Sequence, residues 1–265
     1  MRIAAAQITC VPGDIDANVR KMRDFAGRAN AAGADLIVFP ETADTGYSMP
    51  IIQKHATVLT EGAVPQLRET AKGLGIGIIS GIAERDGGAI YNSQVAIDSA
   101  GRVIAKYRKS HLFSPPPIEE DKCFSPGNEL VSLPWNGFRL GLTICYDLRF
   151  PEIYRTLACD FGVNVFIISS AWPFPRVEHM RVLAQARAIE NQSYLVLSNR
   201  AGNDNGGVTF CGSSAIVDAY GVTIAAASAD REELIVAEVS EEVVGSVRER
   251  MGVFEHRRPE LYGKR

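Results

Sequence analysis

The sequence predicts an α/β protein in which two β-sheets pack together. Its start alternates strand and helix, with an apolar strand over residues 2–9, a helical pattern from Asp16 to Gly33 and a second apolar strand over 36–39. Residues 89–98 and 102–107 then read as two strands joined by a turn at Ser99-Ala100-Gly101. Because a hairpin departs from strict βαβ alternation, two packed sheets are favoured over one doubly wound sheet.

Each of the early elements has a local cause. Apolar residues recur at helical spacing from Asp16 onward, and Gly33 is a typical helix stop. Residues 64–72 show a shorter amphipathic helical pattern, and residues 75–83 form a glycine-rich apolar strand. The hairpin is followed by a long loop with three consecutive prolines at 115–117, and long loops in compact domains are often functional.

The middle of the chain delivers a thiol to the end of a strand. The apolar run 138–144 stops at Cys145, and Pro151 and Glu152 begin a helical pattern that extends to residue 158. Such a turn lies at the carboxyl edge of a sheet, where α/β proteins bind ligands, and its backbone N–H groups favour a thiolate or an oxyanion. Simple packing is the competing interpretation, because free cysteines are among the most buried residues.

The second half adds strands and one more helix. A buried strand over 163–170 leads into an aromatic and proline-rich loop, 171–176, which suits a pocket wall. The helical pattern 177–190 carries an apolar stripe that predicts core packing rather than a cofactor site. Strands follow at 194–198, 213–218 and 234–239, and the glycine-rich loop 199–212 is either mobile or pocket-lining. No repeat, low-complexity segment or linker divides the chain, which predicts a single domain over 1–265.

Composition excludes several classes of partner. Twenty-eight basic and thirty-one acidic residues give a net charge of −3 without a basic run, which argues against nucleic acid and anionic membranes. No apolar stretch reaches the length of a membrane span, and the first residues resemble a strand rather than a signal peptide. Five scattered cysteines without a C-x-x-C pair, and four dispersed histidines, predict reduced thiols in a cytoplasmic protein without a bound metal.

Two charged residues follow strands in the same way as Cys145. Glu41 comes directly after the apolar strand 36–39, and Lys109 follows the second strand of the hairpin. Taken alone, Glu41 is equally consistent with a capping or solvent-facing acid, and Lys109 with an ordinary surface lysine. Their functional interpretation depends on both side chains meeting Cys145.

Three motifs together carry a resemblance to a known family. Glu41 lies in F-P-E-x-x-x-T-G-Y, Lys109 in Y-R-K-x-H-L-F, and Cys145 in G-L-x-I-C-Y-D-L-R-F-P-E. In this order they resemble the nitrilase superfamily of carbon–nitrogen hydrolases over essentially the whole chain. The resemblance implies a four-layer α-β-β-α sandwich, pairing into at least a homodimer, and no cofactor.

The resemblance also implies roles for individual residues. Cys145 is expected to be the nucleophile, Glu41 the general base and Lys109 the oxyanion stabiliser. A Phe-x-Pro-Gly match at residues 124–127 points to Glu120, four residues earlier, as a second acid, although Glu119 and Asp121 adjoin it. These roles agree with the chemistry, because an amide is a poor electrophile that needs a soft nucleophile, a base and a fixed positive charge. The backbone N–H of Tyr146 is expected to help to hold the oxyanion.

The residues after Cys145 indicate which type of carbon–nitrogen bond is hydrolysed. True nitrilases resemble C-W-E, whereas this chain has Cys145-Tyr146-Asp147, so amide hydrolysis is preferred over nitrile hydrolysis. The segments W-P-x-P-R at 172–176 and A-R-A-I-E-N-Q at 186–192 resemble branches that act on small ω-amides of dicarboxylic acids. His179-Met180 departs from the His-Trp of those relatives.

Substrate contacts are predicted from the same segments. Arg176 is the natural clamp for a second carboxylate, because a guanidinium binds a carboxylate through two parallel hydrogen bonds. The alternative is that Arg176 pairs with a structural acid. Tyr47 and Trp172 are expected to line the pocket or to pack in the core. Arg149, close to the nucleophile, is interpreted as part of a structural or intersubunit ion pair.

Other functions stay open at this point. The same fold admits an N-carbamoyl amino acid or amine hydrolase, a nitrilase, or acyl transfer to an amine. A cysteine–histidine hydrolase with His111 or His179 as base is a further hypothesis. The alternative from a different class is a non-catalytic binding or thiol redox-sensing module.

Overall fold

The computed structural model describes residues 1–203 and 207–262. Its helices are α1 (Ile15–Ala31), α2 (Met49–His55), α3 (Ala63–Leu74), α4 (Pro151–Asp160), α5 (Val177–Asn191), α6 (Glu241–Arg250) and α7 (Pro259–Tyr262). Its strands are β1 (Arg2–Gln7), β2 (Leu36–Val38), β3 (Gly77–Asp86), β4 (Ala89–Ile97), β5 (Val103–Arg108), β6 (Val131–Trp135), β7 (Phe138–Ile144), β8 (Val165–Ser170), β9 (Tyr194–Asn199), β10 (Ala201–Asn203), β11 (Thr209–Cys211), β12 (Ala215–Val217), β13 (Thr223–Ala226) and β14 (Glu233–Glu238).

The strands form two six-stranded sheets of similar construction. One sheet has the order β14-β1-β2-β3-β4-β5 and the other has β13-β12-β9-β8-β7-β6. Each centre is parallel, with β1, β2 and β3 in the first sheet and β7, β8 and β9 in the second, while the outer pairings are antiparallel. Strands β10 and β11 pair separately.

Alternation along the strands divides the core into layers. In β1, Ile3 and Ala5 join the cluster that includes apolar residues of the second sheet, whereas Ala4 and Ala6 pack with α1 and α3. Helices α4 and α5 contribute Leu157, Ala184 and other residues to the second sheet's cluster. Since successive side chains of a strand point to opposite faces, each sheet has one face on its partner sheet and one on helices. The predicted α-β-β-α sandwich is confirmed.

Several elements were not predicted from sequence, and others shifted. Helices α2 and α6 and strands β6, β10, β11 and β13 had no prediction, because they are short or interrupted; β6 contains Pro134 and lies at a sheet edge, where proline is tolerated. In α5, Met180, Ala184 and Ala188 are buried as predicted, but Val177 and Leu183 are only partly covered. The glycine-rich loop 199–212 includes β10 and β11, and residues 204–206 lie outside the described ranges.

No helix within the described ranges combines the length and the apolar character needed to cross a membrane.

Candidate active site

The three motif residues meet because each follows a strand at the same end of the sandwich. Glu41 lies three residues after β2, Lys109 directly after β5, and Cys145 directly after β7. Glu41 and Lys109 therefore come from one sheet and Cys145 from the other. Glu120 begins a short 3₁₀ turn, Glu120–Lys122, in the proline-containing loop. All four side chains are buried, although Cys145 keeps 7% of its surface exposed.

A buried lysine joins the two acids. Lys109 Nζ donates to Glu41 Oε1 at 2.7 Å and to Glu120 Oε1 at 2.8 Å. Asn92 Nδ2 donates to the same two oxygens, at 2.7 Å and 3.2 Å. Tyr47 Oη donates to Glu120 Oε1 at 2.7 Å. A buried charge is tolerated only when it is paired and hydrogen-bonded, and this cluster meets that condition.

The structure distinguishes Glu120 from the acids beside it. Glu120 Oε2 accepts from the backbone N–H of Phe113 at 2.6 Å, which fixes the carboxylate toward Lys109. Glu119 instead pairs with Lys122 at the surface, at 2.6 Å. Asp121 is exposed. Of the three consecutive acids, only Glu120 reaches the cluster.

The backbone is in the left-handed region at or beside three of these residues. Cys145 has φ of 44°, Thr42 after Glu41 also has 44°, and Glu119 before Glu120 has 49°. Such conformations are uncommon for residues other than glycine and concentrate at functional sites. At Thr42 and Cys145 this conformation turns the chain shortly after a strand, and at Glu119 it turns the loop directly before Glu120.

Two glycines let the charged segments approach closely. A Cβ on Gly81 would lie 2.5 Å from both the Glu41 Cα and the Pro40 carbonyl oxygen. A Cβ on Gly127 would lie 2.1 Å from the Arg108 carbonyl oxygen. Gly127 N also donates to the Lys109 carbonyl oxygen at 2.8 Å, so the glycine of the Phe-x-Pro-Gly motif supports the lysine. Neither backbone would fit against a larger residue without moving.

Electrostatics keep the thiol protonated in the resting site. Burial raises the pKa of the Cys145 thiol well above its usual range, and the carboxylate of Glu41 raises it further, while the positive charge of Lys109 opposes the shift. Burial also raises the pKa of the Glu41 carboxyl, against the attraction of Lys109. A thiol in this environment needs a base to remove its proton, and Glu41 has the raised basicity for that task.

Lys109 stays charged although it is buried. Burial alone would lower the pKa of the Lys109 ammonium, but the carboxylates of Glu120 and Glu41 outweigh it, and the net shift is upward. The site therefore holds a permanent positive charge beside the thiol. A fixed cation in a water-poor site is suited to stabilising an oxygen that becomes anionic.

A small cavity of about 20 Å³ reaches the Cys145 thiol. It is lined by Cys145 and Tyr146 together with Tyr47, Phe113, Ile118, Arg149, Ala171, Trp172, Pro173 and Arg176. The substrate-binding residues predicted from sequence, Tyr47, Tyr146, Trp172 and Arg176, therefore all reach this cavity. It shares lining residues with a groove of about 380 Å³ between the proline-rich loop and residues 173–176.

As far as the described residues line it, the cavity wall carries two arginines and no acid. Among the described residues, neither Arg176 nor Arg149 has a carboxylate partner; the guanidinium of Arg176 lies 5.4 Å from the Phe113 ring centroid. Arg149 lies 4.8 Å from the Trp172 ring centroid and 3.4 Å from His179 Nδ1. An ion pair of Arg149 within its own chain, one of the two predicted alternatives, is therefore not found among the described residues. Its guanidinium faces the cavity instead.

Sequence reasoning missed three residues that shape the site. Asn92 in β4 binds both acids, Ser170 at the end of β8 lies near the thiol, and Asp147 anchors the turn after Cys145. The signal for Asn92 was present, since residues 91–94 place consecutive polar side chains in an otherwise apolar strand. Asp147 belongs to the Cys145-Tyr146-Asp147 pattern, which did not indicate its contacts, and Ser170 carries no comparable signal.

The histidines lie away from the thiol. His111 Nδ1 contacts Asp147 Oδ1 at 2.8 Å, and the His111 ring stacks on Phe150. Neither His111 nor His179 lines the cavity. Within the described ranges, no group of three histidine, cysteine or carboxylate side chains is placed to hold a metal ion.

Comparisons with known proteins agree with this geometry. The model of the carbon-nitrogen hydrolase family matches residues 2–249. The 2-oxoglutaramate amidase of Bacillus subtilis (strain 168) is 36% identical over 262 residues, which cover 96% of this chain and 98% of that protein. The omega-amidase NIT2 of Homo sapiens is 29% identical over 97% of this chain and 94% of its own.

A solved structure extends the likeness to three dimensions. A variant of the amidase from Nesterenkonia sp. AN1, which shows covalent addition of the acetamide moiety of fluoroacetamide at its active site cysteine, superimposes with a TM-score of 0.88. It is 29% identical to this chain and covers 99% of it, and 95% of that chain is covered in turn. The resemblance read from the three motifs is confirmed. The chain belongs to the carbon–nitrogen hydrolase family, as a hydrolase of carbon–nitrogen bonds other than peptide bonds.

Proposed function

We propose that this chain is an amidase that converts small, linear, carboxylate-bearing amides into carboxylic acids and ammonia through a thioester on Cys145. The observation that carries the proposal is the arrangement of one cavity. The thiol and its acid–lysine cluster lie at the inner end, and two arginines without carboxylate partners lie in the wall. The amidase relatives named above support the reaction type.

In the first half-reaction, the amide carbon is attacked by sulfur. Glu41 accepts the thiol proton as the carbon–sulfur bond forms, and the carbonyl oxygen becomes anionic. Lys109 Nζ and the backbone N–H of Tyr146 stabilise that oxyanion. Glu41 then donates the proton to the amide nitrogen, the carbon–nitrogen bond breaks, and ammonia leaves an acyl-thioester.

In the second half-reaction, water replaces ammonia. Glu41 accepts a proton from the water while the hydroxyl oxygen bonds to the thioester carbon, and Glu120 holds the arrangement through Lys109 and steers the water. The carbon–sulfur bond breaks, the sulfur recovers the proton, and the carboxylic acid is released. No cofactor or metal is required for either half.

The arginines set the substrate class. A wall with two guanidinium groups and no acid favours an anionic ligand, and Arg176 is free to bind a carboxylate through two hydrogen bonds. Two of the relatives, a 2-oxoglutaramate amidase and an omega-amidase, have names that indicate substrates of this class. A nitrile without a carboxylate does not account for the two arginines. An N-carbamoyl amino acid carries a carboxylate and also suits them, so the substrate panel includes both classes.

The test is ammonia release from a panel of compounds. It includes α-ketoglutaramate, succinamate, deaminated glutathione, N-carbamoyl amino acids, simple aliphatic amides and one nitrile, with Cys145→Ala as the control. We expect release from the carboxylated amides that the control abolishes. Release only from carbamoyl compounds or the nitrile, or none at all while Cys145 is readily alkylated, would refute the proposal.

Arg176→Gln is expected to separate binding from chemistry. A lost charged hydrogen bond costs about 1.5–3 kcal/mol, so KM for a carboxylated amide should rise about 10- to 100-fold while kcat changes little. Hydrolysis of butyramide, which has no carboxylate, should be unaffected. The matched control is Arg181→Gln, which removes an exposed arginine paired with Glu178 one turn further along. Equal losses on both substrates would exclude the clamp.

We also propose that the chain acts as a single-domain cytoplasmic enzyme and as at least a homodimer. Val182 and Ile189 on α5 support a subunit interface, because they expose 60% and 50% of their surface.

A further inference from the structure

We infer that Asp147 is a positioning residue that holds the nucleophile and Lys109 at their working separation. The inference rests on the proposed role of Lys109 as the oxyanion stabiliser. Asp147 lies two residues after Cys145 and is fully buried, yet it does not line the cavity. Its function must therefore act through the groups that it binds.

One oxygen of the carboxylate closes the nucleophile turn. Asp147 Oδ2 accepts from the backbone N–H of Ile144 at 2.9 Å, directly before Cys145. The bond spans the residue with φ of 44°, which needs surrounding contacts to stay in that region. Asp147 thus belongs rigidly to the segment that carries the thiol.

The same carboxylate binds the residues on both sides of Lys109. Tyr107 Oη donates to Asp147 Oδ2 at 2.7 Å, and His111 approaches Oδ1 through its backbone N at 3.1 Å and its Nδ1 at 2.8 Å. Tyr107 precedes Lys109 by two residues and His111 follows it by two. Asp147 therefore binds the lysine segment on both sides of Lys109.

No other hydrogen bond described in the structure connects these two segments. Residues 107–113 lie at the end of β5 in the first sheet and residues 144–150 at the end of β7 in the second, and the segments also pack through the rings of His111 on Phe150 and of Phe113 on Tyr146. Ring packing permits small sliding, whereas hydrogen bonds to a buried carboxylate are directional and strong. Asp147 therefore supplies the direct hydrogen bonds between these two segments, while the bond from Ala171 N–H to Glu41 links the lysine cluster to the second sheet by a separate route.

The separation of thiol and ammonium matters for carbonyl chemistry and not for every reaction of the thiol. A misplacement of about 1 Å can cost about 10²-fold in rate when a group must meet a developing charge. Acylation by a carbonyl compound develops an oxyanion that needs Lys109. Alkylation of sulfur by iodoacetamide proceeds by displacement at carbon and develops no oxyanion. The two reactions therefore distinguish a displaced lysine from a damaged thiol.

The experiment removes one side-chain hydrogen bond to Asp147 at a time, in the full-length protein. Tyr107→Phe removes one hydroxyl, and His111→Phe keeps a ring on Phe150 but removes Nδ1 at a side chain that is one-third exposed. Neither substitution touches the contacts of Lys109 itself. The matched control is Tyr154→Phe, which removes a fully buried hydroxyl that contacts Thr143 Oγ1 at 3.0 Å in the same core.

We expect both variants to slow the acylation burst with p-nitrophenyl acetate at Cys145 by about 10-fold or more, and to leave alkylation by iodoacetamide within about twofold of wild type. Tyr154→Phe should change neither rate. Because both probes report on Cys145 directly, the outcome does not depend on which amide the enzyme uses. Acylation at the wild-type rate in both variants, or alkylation that slows in parallel, would overturn the inference.

Discussion

Lys109→Met is expected to reduce amide turnover below about one part in 10² to 10³ of wild type and to destabilise the fold at neutral pH. The activity loss follows from removing the fixed charge that faces the developing oxyanion. The stability loss follows from the geometry, because one ammonium serves both Glu41 and Glu120. Breaking a buried ion pair by removing one partner typically costs about 3–5 kcal/mol. Denaturant unfolding and steady-state kinetics measure the two effects.

The stability loss of this variant should depend on pH in a defined direction. Without Lys109, burial and mutual repulsion push the pKa of the Glu41 carboxyl further upward, and it is already raised in the wild type. A carboxyl whose folded pKa exceeds its unfolded pKa adds stability at low pH and loses it as pH rises through the folded pKa. The free energy of unfolding should therefore recover toward wild type at pH 5 and fall again toward pH 8.

Two further variants make this result specific. Lys106→Met removes a lysine that pairs with Glu84 at 2.6 Å but is one-third exposed, and it should cost far less stability and no activity. The double variant Lys109→Met with Glu120→Gln leaves one carboxyl in place of two, and it should regain stability without regaining activity. A Lys109→Met variant that is fully active, or whose loss of stability does not depend on pH, would contradict the role proposed for Lys109.

Glu41→Gln is expected to lower kcat by about 10²- to 10⁴-fold, because in the proposed mechanism Glu41 accepts the thiol proton and delivers it to the leaving nitrogen. Glutamine keeps the length and one carbonyl oxygen, so contacts such as the 2.8 Å bond from the backbone N–H of Ala171 are preserved in part. The loss should appear in kcat rather than KM. Ammonia release from a carboxylated amide measures it.

The Cys145 thiolate should become more available in Glu41→Gln, although turnover falls. Burial raises the pKa of Cys145 first, and the negative charge of Glu41 raises it further. A neutral glutamine removes the second contribution, so the midpoint of Cys145 alkylation against pH should move to lower pH. A more available thiolate combined with slower turnover is the signature of a lost base.

The matched control for this variant is Glu84→Gln, which neutralises a buried acid held by Lys106 and Arg108 away from the cavity. Its turnover and alkylation midpoint should match wild type, with some loss of stability. An unchanged kcat in Glu41→Gln, or an alkylation midpoint that moves to higher pH, would rule out Glu41 as the base.

Local sequence patterns determined the elements that hold the site. The apolar run before Cys145 and the Pro151-Glu152 start of α4 are encoded within about fifteen residues, and both were found where predicted. The same holds for the strands before Glu41 and Lys109, since side-chain alternation and turn residues act over short distances. The family resemblance added the pairing of the three motifs.

Only the tertiary structure decided how these pieces meet. Glu120 differs from Glu119 and Asp121 by its burial against Lys109; the family's Phe-x-Pro-Gly spacing pointed to Glu120, but the contact with Lys109 depends on how the loop folds. Arg149 faces the cavity, and Asp147 links the two sheets, because of how the sheets pack on each other. The sequence by itself thus determined the strands and the motif residues, whose causes are local. The contacts across the sheets were decided by packing and register between residues far apart in the chain.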